Sequence, residues 1–168
     1  MILVLEGTKR SGKTTWAEKV QWNFKNTYYF ANRTLKDHEH ANIAVYGYMV
    51  GILEFAKQLD TKESIIILDR FHITEYLYGK QRGYENSDMK FIDYELRKLN
   101  AIGILFYSNT WKERLEDPDN HFDKEVYRHE IAQSKMNWTL KTLDFNKGMV
   151  HNADVITDIY KLKRDYKV

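Results

Sequence analysis

Cysteine is absent from the 168-residue sequence, which excludes disulfide scaffolds, thiolate zinc sites and cysteine nucleophiles. The single proline, Pro118, lies in the polar stretch Glu116–Asn120, which we interpret as a turn, and no repeat or glycine-rich linker divides the chain. We therefore expect one domain over residues 1–168. Apolar runs such as Ile65–Leu68 are too short to cross a bilayer, and the N-terminal sequence lacks a signal-peptide pattern. The expected protein is soluble and cytoplasmic, with no membrane partner.

A large charge of one sign is also missing, because 26 basic and 24 acidic side chains leave a formal net charge of +2. So small a charge gives no global field that would demand a nucleic-acid partner. Hydrophobic residues make up 43% and charged residues 30%, a balance typical of globular proteins. Twelve tyrosines could stack on nucleobases or fill an ordinary core, so composition leaves the function open.

Short apolar runs alternate with segments of helical periodicity along the chain. The predicted strands are Met1–Leu5, Thr27–Ala31, Ser64–Asp69, Ile102–Tyr107 and Met149–His151. The predicted helices are Lys13–Phe24, Ala41–Leu59, His72–Tyr78, Asp88–Asn100, Asp123–Leu143 and a last one opened by Asn152 or Asp154. In the second helix the spacing places Val45, Tyr48 and Met49 on the inward face. This alternation predicts a three-layer α/β fold around a parallel sheet.

Residues 7–14 match the phosphate-loop pattern G-x-x-x-x-G-K-[ST] and lie between a predicted strand and a predicted helix, as the motif requires. Glycines let backbone N–H groups and the helix N-terminus converge on phosphate oxygens. Lys13, which we expect in a solvated loop, would reach the β- and γ-phosphates, and the Thr14 hydroxyl would complete a Mg²⁺ shell. ATP is favoured over GTP because no guanine-reading Asn/Thr-Lys-x-Asp tetrad follows the later strands. The alternative is a strand-to-helix turn without a ligand.

Asp69, Arg70 and Phe71 follow a second buried strand, at the sheet edge where open α/β folds bind ligands. Asp69 could accept the proton of an attacking hydroxyl or hold a magnesium-bound water. Arg70 suits an anionic or phosphorylated acceptor. The alternative is an exposed strand-end ion pair without a catalytic duty.

With these motifs the chain resembles the thymidylate kinase and deoxynucleoside kinase superfamily of P-loop kinases. The resemblance rests on Val4–Gly7 leading into the phosphate loop, on Asp69-Arg70-Phe71, on Arg33 after the second strand, and on a charged segment after the fourth strand. It covers nearly the whole chain. It implies a three-layer α/β/α fold with a five-stranded parallel sheet of order 2-3-1-4-5, Mg-ATP as donor, and a nucleotide or nucleoside as acceptor.

The resemblance also implies roles for individual residues. The catalytic residues would be Lys13, Arg10, Asp69 and Arg70. The ligands of Mg²⁺ would come from Thr14 and Asp69. ATP would be bound by the loop and helix start (Gly7, Arg10, Ser11, Gly12, Lys13, Thr14 and Thr15), by Arg114 and Arg128 of a lid over about 110–130, and by Asn152 and Ala153. The acceptor would be bound by Arg33, Tyr46, Tyr48, Arg70 and Phe71. Lys9, where the chain departs from the family pattern, would pair with the acceptor phosphate. For the lid and loop cations the alternative is ordinary surface charge, and for the aromatic residues it is the core.

Two departures from the family pattern concern the acceptor. Lys9 stands where the family commonly has an aspartate that holds the sugar 3′-hydroxyl, and Gly47 lies near the place expected for a base-reading glutamine. We expect transfer of the γ-phosphoryl of ATP to a deoxynucleoside monophosphate. The alternatives are a deoxynucleoside 5′-hydroxyl with Asp69 as general base, a hydroxyl on a nucleic acid, which is less favoured, and a non-catalytic ATP-binding regulator. A homodimer is left open.

Overall fold

A computed structural model describes residues 1–7, 12–31, 41–59, 63–75, 87–107, 141–144 and 152–165. Its strands are β1 (Ile2–Gly7), β2 (Thr27–Ala31), β3 (Ile65–Asp69), β4 (Ile102–Tyr107) and β5 (Lys141–Asp144). Its longer helices are α1 (Lys13–Asn23), α2 (Ala41–Gln58), α3 (Ser87–Lys98) and α4 (Asn152–Asp165). Residues 72–75, just after β3, are also helical.

The five strands form one sheet of order β2-β3-β1-β4-β5, and every neighbouring pair is parallel. The order implied by the family resemblance is therefore confirmed. β1 and β3 are buried along their whole length, as expected of apolar runs covered on both faces of a parallel sheet. They pair with Leu5 opposite Asp69, so β1 continues for two residues beyond the end of β3.

Two hydrophobic clusters fill the space on the two faces of the sheet. One joins alternate residues of β1 and β3 to α1 and α4, through side chains such as Trp16 and Ile159. The other joins the intervening strand residues to α2 and α3, through side chains such as Met49 and Ile92. Because successive strand residues face opposite ways, the apolar runs supply both clusters at once. The three-layer arrangement is thus confirmed.

Two expectations from the sequence differ from the structure, and others lie outside the described residues. Residues 141–143, expected to end a long helix, belong to β5, because pairing with the open edge of β4 decides the conformation of a short ambiguous segment. Tyr48, expected on the inward face of α2, is 41% exposed. The predicted strand Met149–His151 and the rest of the helix Asp123–Leu143 lie outside the described residues, and the single-domain expectation stays a prediction. Among the described helices, none is long and apolar enough to cross a membrane.

Gly7, the last residue of β1, is required by a close approach of two strands. It has φ +139°, and a Cβ built on it would lie 2.4 Å from the carbonyl oxygen of Phe106 on β4. Both the backbone angle and the contact exclude a larger residue. Gly47, in contrast, lies within α2 with nothing within 4 Å of a built Cβ.

We expect Gly7→Ala to lower the free energy of unfolding by on the order of 3 kcal/mol, because it adds backbone strain and a clash with a backbone atom. Gly47→Ala is the matched control and should raise it by about 1 kcal/mol, the helix-propensity difference. Urea denaturation measures both. Equal effects of the two substitutions would contradict the close approach at Gly7.

Candidate active site

The phosphate-loop sequence lies where β1 ends and α1 begins. Gly12 precedes the helix in a left-handed conformation, with φ 90° and ψ 3°, and its carbonyl accepts the Trp16 N–H at 2.9 Å. Glycine adopts this conformation without a steric penalty. Lys13, Thr14 and Thr15 form the first turn of α1, and the positive end of the helix dipole there favours an anion.

Lys13 is buried, contrary to the expectation of a solvated loop. Its side chain is 5% exposed, and Nζ donates to the Gly7 carbonyl at 2.9 Å. Burial, together with the nearby positive charge of Arg70, lowers the pKa of Lys13 to about 7, although Asp69 and Glu6 act in the opposite direction. The ammonium group is therefore held at the glycine that opens the loop, in a buried environment that disfavours its charged form.

Asp69 is where β3, α1 and β2 meet. Its Oδ2 accepts hydrogen bonds from the hydroxyl of Tyr29 at 2.7 Å and from Oγ1 of Thr14 at 3.3 Å. Its Oδ1 is buried and has no hydrogen-bond partner among the described residues. Burial and the neighbouring Asp69 raise the pKa of Tyr29, so the phenol stays protonated as a donor. One carboxylate oxygen is thus held by the protein and the other is left for a ligand.

The chain turns sharply at Arg70, which has φ 56° although it is not glycine. The Arg70 N–H donates to the Leu5 carbonyl at 2.9 Å. The next N–H, of Phe71, donates to Oε1 of the fully buried Glu6 at 3.1 Å. A left-handed φ in such a residue costs about 1–3 kcal/mol and persists only where surrounding contacts impose it. Here both N–H groups are bound to β1.

Glu6 binds the segment after β3 through more than one group. Its Oε2 accepts the hydroxyl of Thr74 at 2.6 Å, and its Oε1 also faces the Thr74 N–H at 3.4 Å. Sequence reasoning missed Glu6, Thr74 and Tyr29. A signal existed for Glu6, since an acid that ends a fully buried strand requires hydrogen-bond donors.

The aromatic residues predicted for the acceptor have different environments. Phe71 is in the second hydrophobic cluster and is 1% exposed, so its ring packs in the core, which was the alternative for these aromatic residues, and its role toward the acceptor stays a prediction. Tyr46 is partly buried against the same cluster. Tyr48 is exposed, and its hydroxyl donates to the carbonyl of Ala31, the last residue of β2, at 3.2 Å. Among these aromatic residues, Tyr48 is the one whose ring is exposed at the carboxyl end of the sheet.

The remaining predicted residues are not brought into this site by the described structure. Asn152 and Ala153 begin α4. The others, Lys9, Arg10, Ser11, Arg33, Arg114 and Arg128, lie outside the described residues. Their roles stay predictions.

No protein-family model matches the sequence, and no curated protein sequence matches it. Solved structures do match. The YorR protein of Bacillus subtilis, solved in complex with phosphorylated GDP, is similar with a TM-score of 0.65 and 19% identity over 100% of both chains. Thymidylate kinase of Candida albicans gives a TM-score of 0.58 at 12% identity, over 98% of this chain and 91% of that one. Deoxyadenosine kinase of M. mycoides with bound dATP gives 0.55 at 12%, over 96% and 99%. The chain has the fold of P-loop nucleotide and nucleoside kinases.

The burial of Lys13 predicts a pH-dependent effect of Lys13→Met on stability. Between pH 7 and 10.5 the unfolded chain binds a proton at Lys13 that the folded chain does not, so wild-type stability gains from rising pH in this window. Below pH 7 Lys13 is protonated in both states, and the folded protein bears the full cost of burying its charge. The variant lacks this gain, so its free energy of unfolding minus that of the wild type should fall between pH 7 and pH 10, by more than about 1.4 kcal/mol, the equivalent of one pKa unit. Urea denaturation at both pH values measures the difference, and Lys25→Met, at an exposed lysine, is the control. A difference independent of pH would contradict the burial.

The contact between Glu6 and Thr74 predicts a second stability effect. Thr74→Val keeps the shape of the side chain but removes the donor to a buried carboxylate, so we expect a loss of about 2 kcal/mol of unfolding free energy. Thr74→Ser keeps the hydroxyl and should lose only about 1 kcal/mol for the missing methyl group. Chemical denaturation of the pair separates the two contributions. If serine and valine were equally destabilising, the hydroxyl contact would be unimportant.

Proposed function

We propose that this protein transfers the γ-phosphoryl group of Mg-ATP to a deoxynucleoside monophosphate. The proposal rests mainly on one observation. Lys13 and Thr14, at the start of α1, lie close to Asp69 and Arg70, at the carboxyl end of β3. A phosphate-binding turn alone would suit many nucleotide-binding proteins. Arg70 is a second cation, and it is close enough to Lys13 to lower the pKa of Lys13. Two neighbouring cations support a site for two phosphorylated ligands.

Asp69 and Thr14 fit a magnesium ion. Both present oxygen atoms, the ligands that Mg²⁺ prefers, and the buried Oδ1 of Asp69 has no hydrogen-bond partner in the described part of the chain. Asp69 and Thr14 would hold the ion, and the chemistry supplied there would be neutralisation of the negative charge that develops on the donor phosphates. The contact with Thr14 supports a role for Asp69 on the donor side of the site, where it would hold the metal's coordination shell.

This assignment bears on the acceptor. A nucleoside 5′-hydroxyl must lose a proton during attack and profits from a general base. A monophosphate oxygen is already ionised at neutral pH and needs none. Because both oxygens of Asp69 are then committed, one to Tyr29 and Thr14 and one to the metal shell, a monophosphate acceptor is the better match.

The protein's own residues would act by positioning and by charge. Lys13 and the first turn of α1 would hold the donor phosphates, and Arg70 would hold the acceptor phosphate in line with the transferring group. Arg10 would supply further positive charge to the transferring phosphoryl group. No covalent intermediate on the protein is needed.

The names of the matching structures support a nucleotide or nucleoside acceptor but leave its base open. They include a thymidylate kinase, a deoxyadenosine kinase and a protein bound to phosphorylated GDP. A deoxynucleoside kinase remains the second candidate, because one of these matches carries that name. The acceptor panel must therefore contain all bases in both forms.

We expect the purified protein with Mg-ATP to convert at least one deoxynucleoside monophosphate to its diphosphate, detected by separation of the products. The panel contains each nucleoside, each monophosphate and a 5′-hydroxyl oligonucleotide. Lys13→Met is the inactive control. Phosphorylation of nucleosides alone, or of the oligonucleotide alone, would replace the proposal by the corresponding alternative.

Arg70→Ala in the same assay separates the acceptor side from the donor side. The variant keeps a Cβ at the same positive φ, so it removes the guanidinium without relieving the backbone. We expect kcat/KM for the monophosphate to fall by about 100-fold, the effect of losing one charge-assisted contact. Calorimetric affinity for an ATP analogue should change only a few-fold, and Arg70→Lys should be intermediate. An equal loss of donor affinity would contradict the assignment.

A further inference from the structure

Tyr29 reaches the candidate active site from β2, a strand at the edge of the sheet. In the parallel register it lies opposite Ile67, two residues before Asp69, so both side chains project from the same face. The phenol extends along this face and donates to Oδ2 of Asp69 at 2.7 Å. This is the shorter of the two hydrogen bonds that Oδ2 accepts, since Oγ1 of Thr14 lies at 3.3 Å.

The contact fixes which oxygen of Asp69 remains available. With Oδ2 held from two directions, rotation of the carboxylate is restrained, and the buried Oδ1 keeps one position. Groups that orient a metal-binding carboxylate in this way are known to alter metal affinity or activity by about 10–100-fold, although they do not touch the metal.

We propose that Tyr29 is a positioning residue of the phosphoryl-transfer site, which holds Asp69 through Oδ2 so that Oδ1 faces the coordination shell of Mg²⁺. The inference rests on the proposed function, because it assigns Asp69 to the metal. It concerns the hydroxyl of Tyr29 alone. The ring is half-buried against the first hydrophobic cluster and packs there with or without the hydroxyl.

A purely structural role for Tyr29 makes a different prediction. If the hydroxyl only stabilised the edge strand, its removal would lower the urea midpoint and leave the magnesium dependence of nucleotide binding unchanged. If it acts through Asp69, its removal should shift that dependence, and the shift should vanish once Asp69 itself is altered.

The test is Tyr29→Phe, which keeps the ring and removes the hydroxyl. Calorimetry with a non-hydrolysable ATP analogue across Mg²⁺ concentrations should show that the half-saturating Mg²⁺ concentration rises by about tenfold. The matched control is Tyr28→Phe, a neighbour on the opposite face of β2, which should behave like the wild type. Turnover should show a lower kcat at fixed Mg²⁺ with an acceptor KM within threefold of the wild type.

The double variant Tyr29→Phe/Asp69→Asn completes the test. In the Asp69→Asn background, Tyr29→Phe should produce no further change in magnesium dependence. A Tyr29→Phe protein with a wild-type magnesium dependence, or an undiminished shift in the double variant, would overturn the positioning role while the proposed function stands. Analogue binding by the wild type that is independent of Mg²⁺ would overturn both, and transfer to no acceptor in the panel would overturn only the proposed function.

Discussion

The parallel pairing of β1 with β3 is the constraint on which the candidate site depends. With Leu5 opposite Asp69, the last two residues of β1 extend past the end of β3. The same register supplies the Leu5 carbonyl to the Arg70 N–H and the Glu6 carboxylate to the Phe71 N–H. A shift by one residue would turn every side chain to the other face of the sheet and would separate these partners. Such a shift would be costly because the fully buried Glu6 carboxylate would lose its Phe71 donor.

The site concentrates charge in a region that otherwise favours apolar groups. Glu6, Lys13 and Asp69 are all buried at the ends of β1 and β3 or at the start of α1. Burying charge is tolerated only where partners compensate it, and these three groups partly compensate one another. The lowered pKa of Lys13 indicates that the compensation is incomplete. An anionic ligand would bring negative charge to this site. Its binding would therefore offset part of the electrostatic cost of burying the Lys13 charge in the folded protein.

Sequence patterns predicted the parts of the fold that depend on local chemistry. The buried strands, the amphipathic helices and the phosphate-loop turn each carry their signal within one segment. The conformation of 141–144 depends on an edge pairing with β4, which no local pattern encodes. The contacts of Tyr29 and Glu6 span 40 and 65 or more residues along the chain, so only the assembled sheet reveals them. Burial of Lys13 likewise follows from the packing around the helix start and not from the motif.

The arrangement of the two cations narrows the chemistry that the site can serve. The positive charge of Arg70 adds to burial in lowering the pKa of Lys13, while Asp69 and Glu6 act in the opposite direction, so the two cations repel each other in the free protein. If the acceptor were neutral, only the donor phosphates could offset this repulsion. A phosphorylated acceptor would place negative charge beside Arg70 and relieve the repulsion from the other side. Under the proposed function, the left-handed backbone at Arg70, which is held by the hydrogen bonds of the Arg70 and Phe71 N–H groups to β1, would direct the second cation toward an anionic acceptor beside the donor.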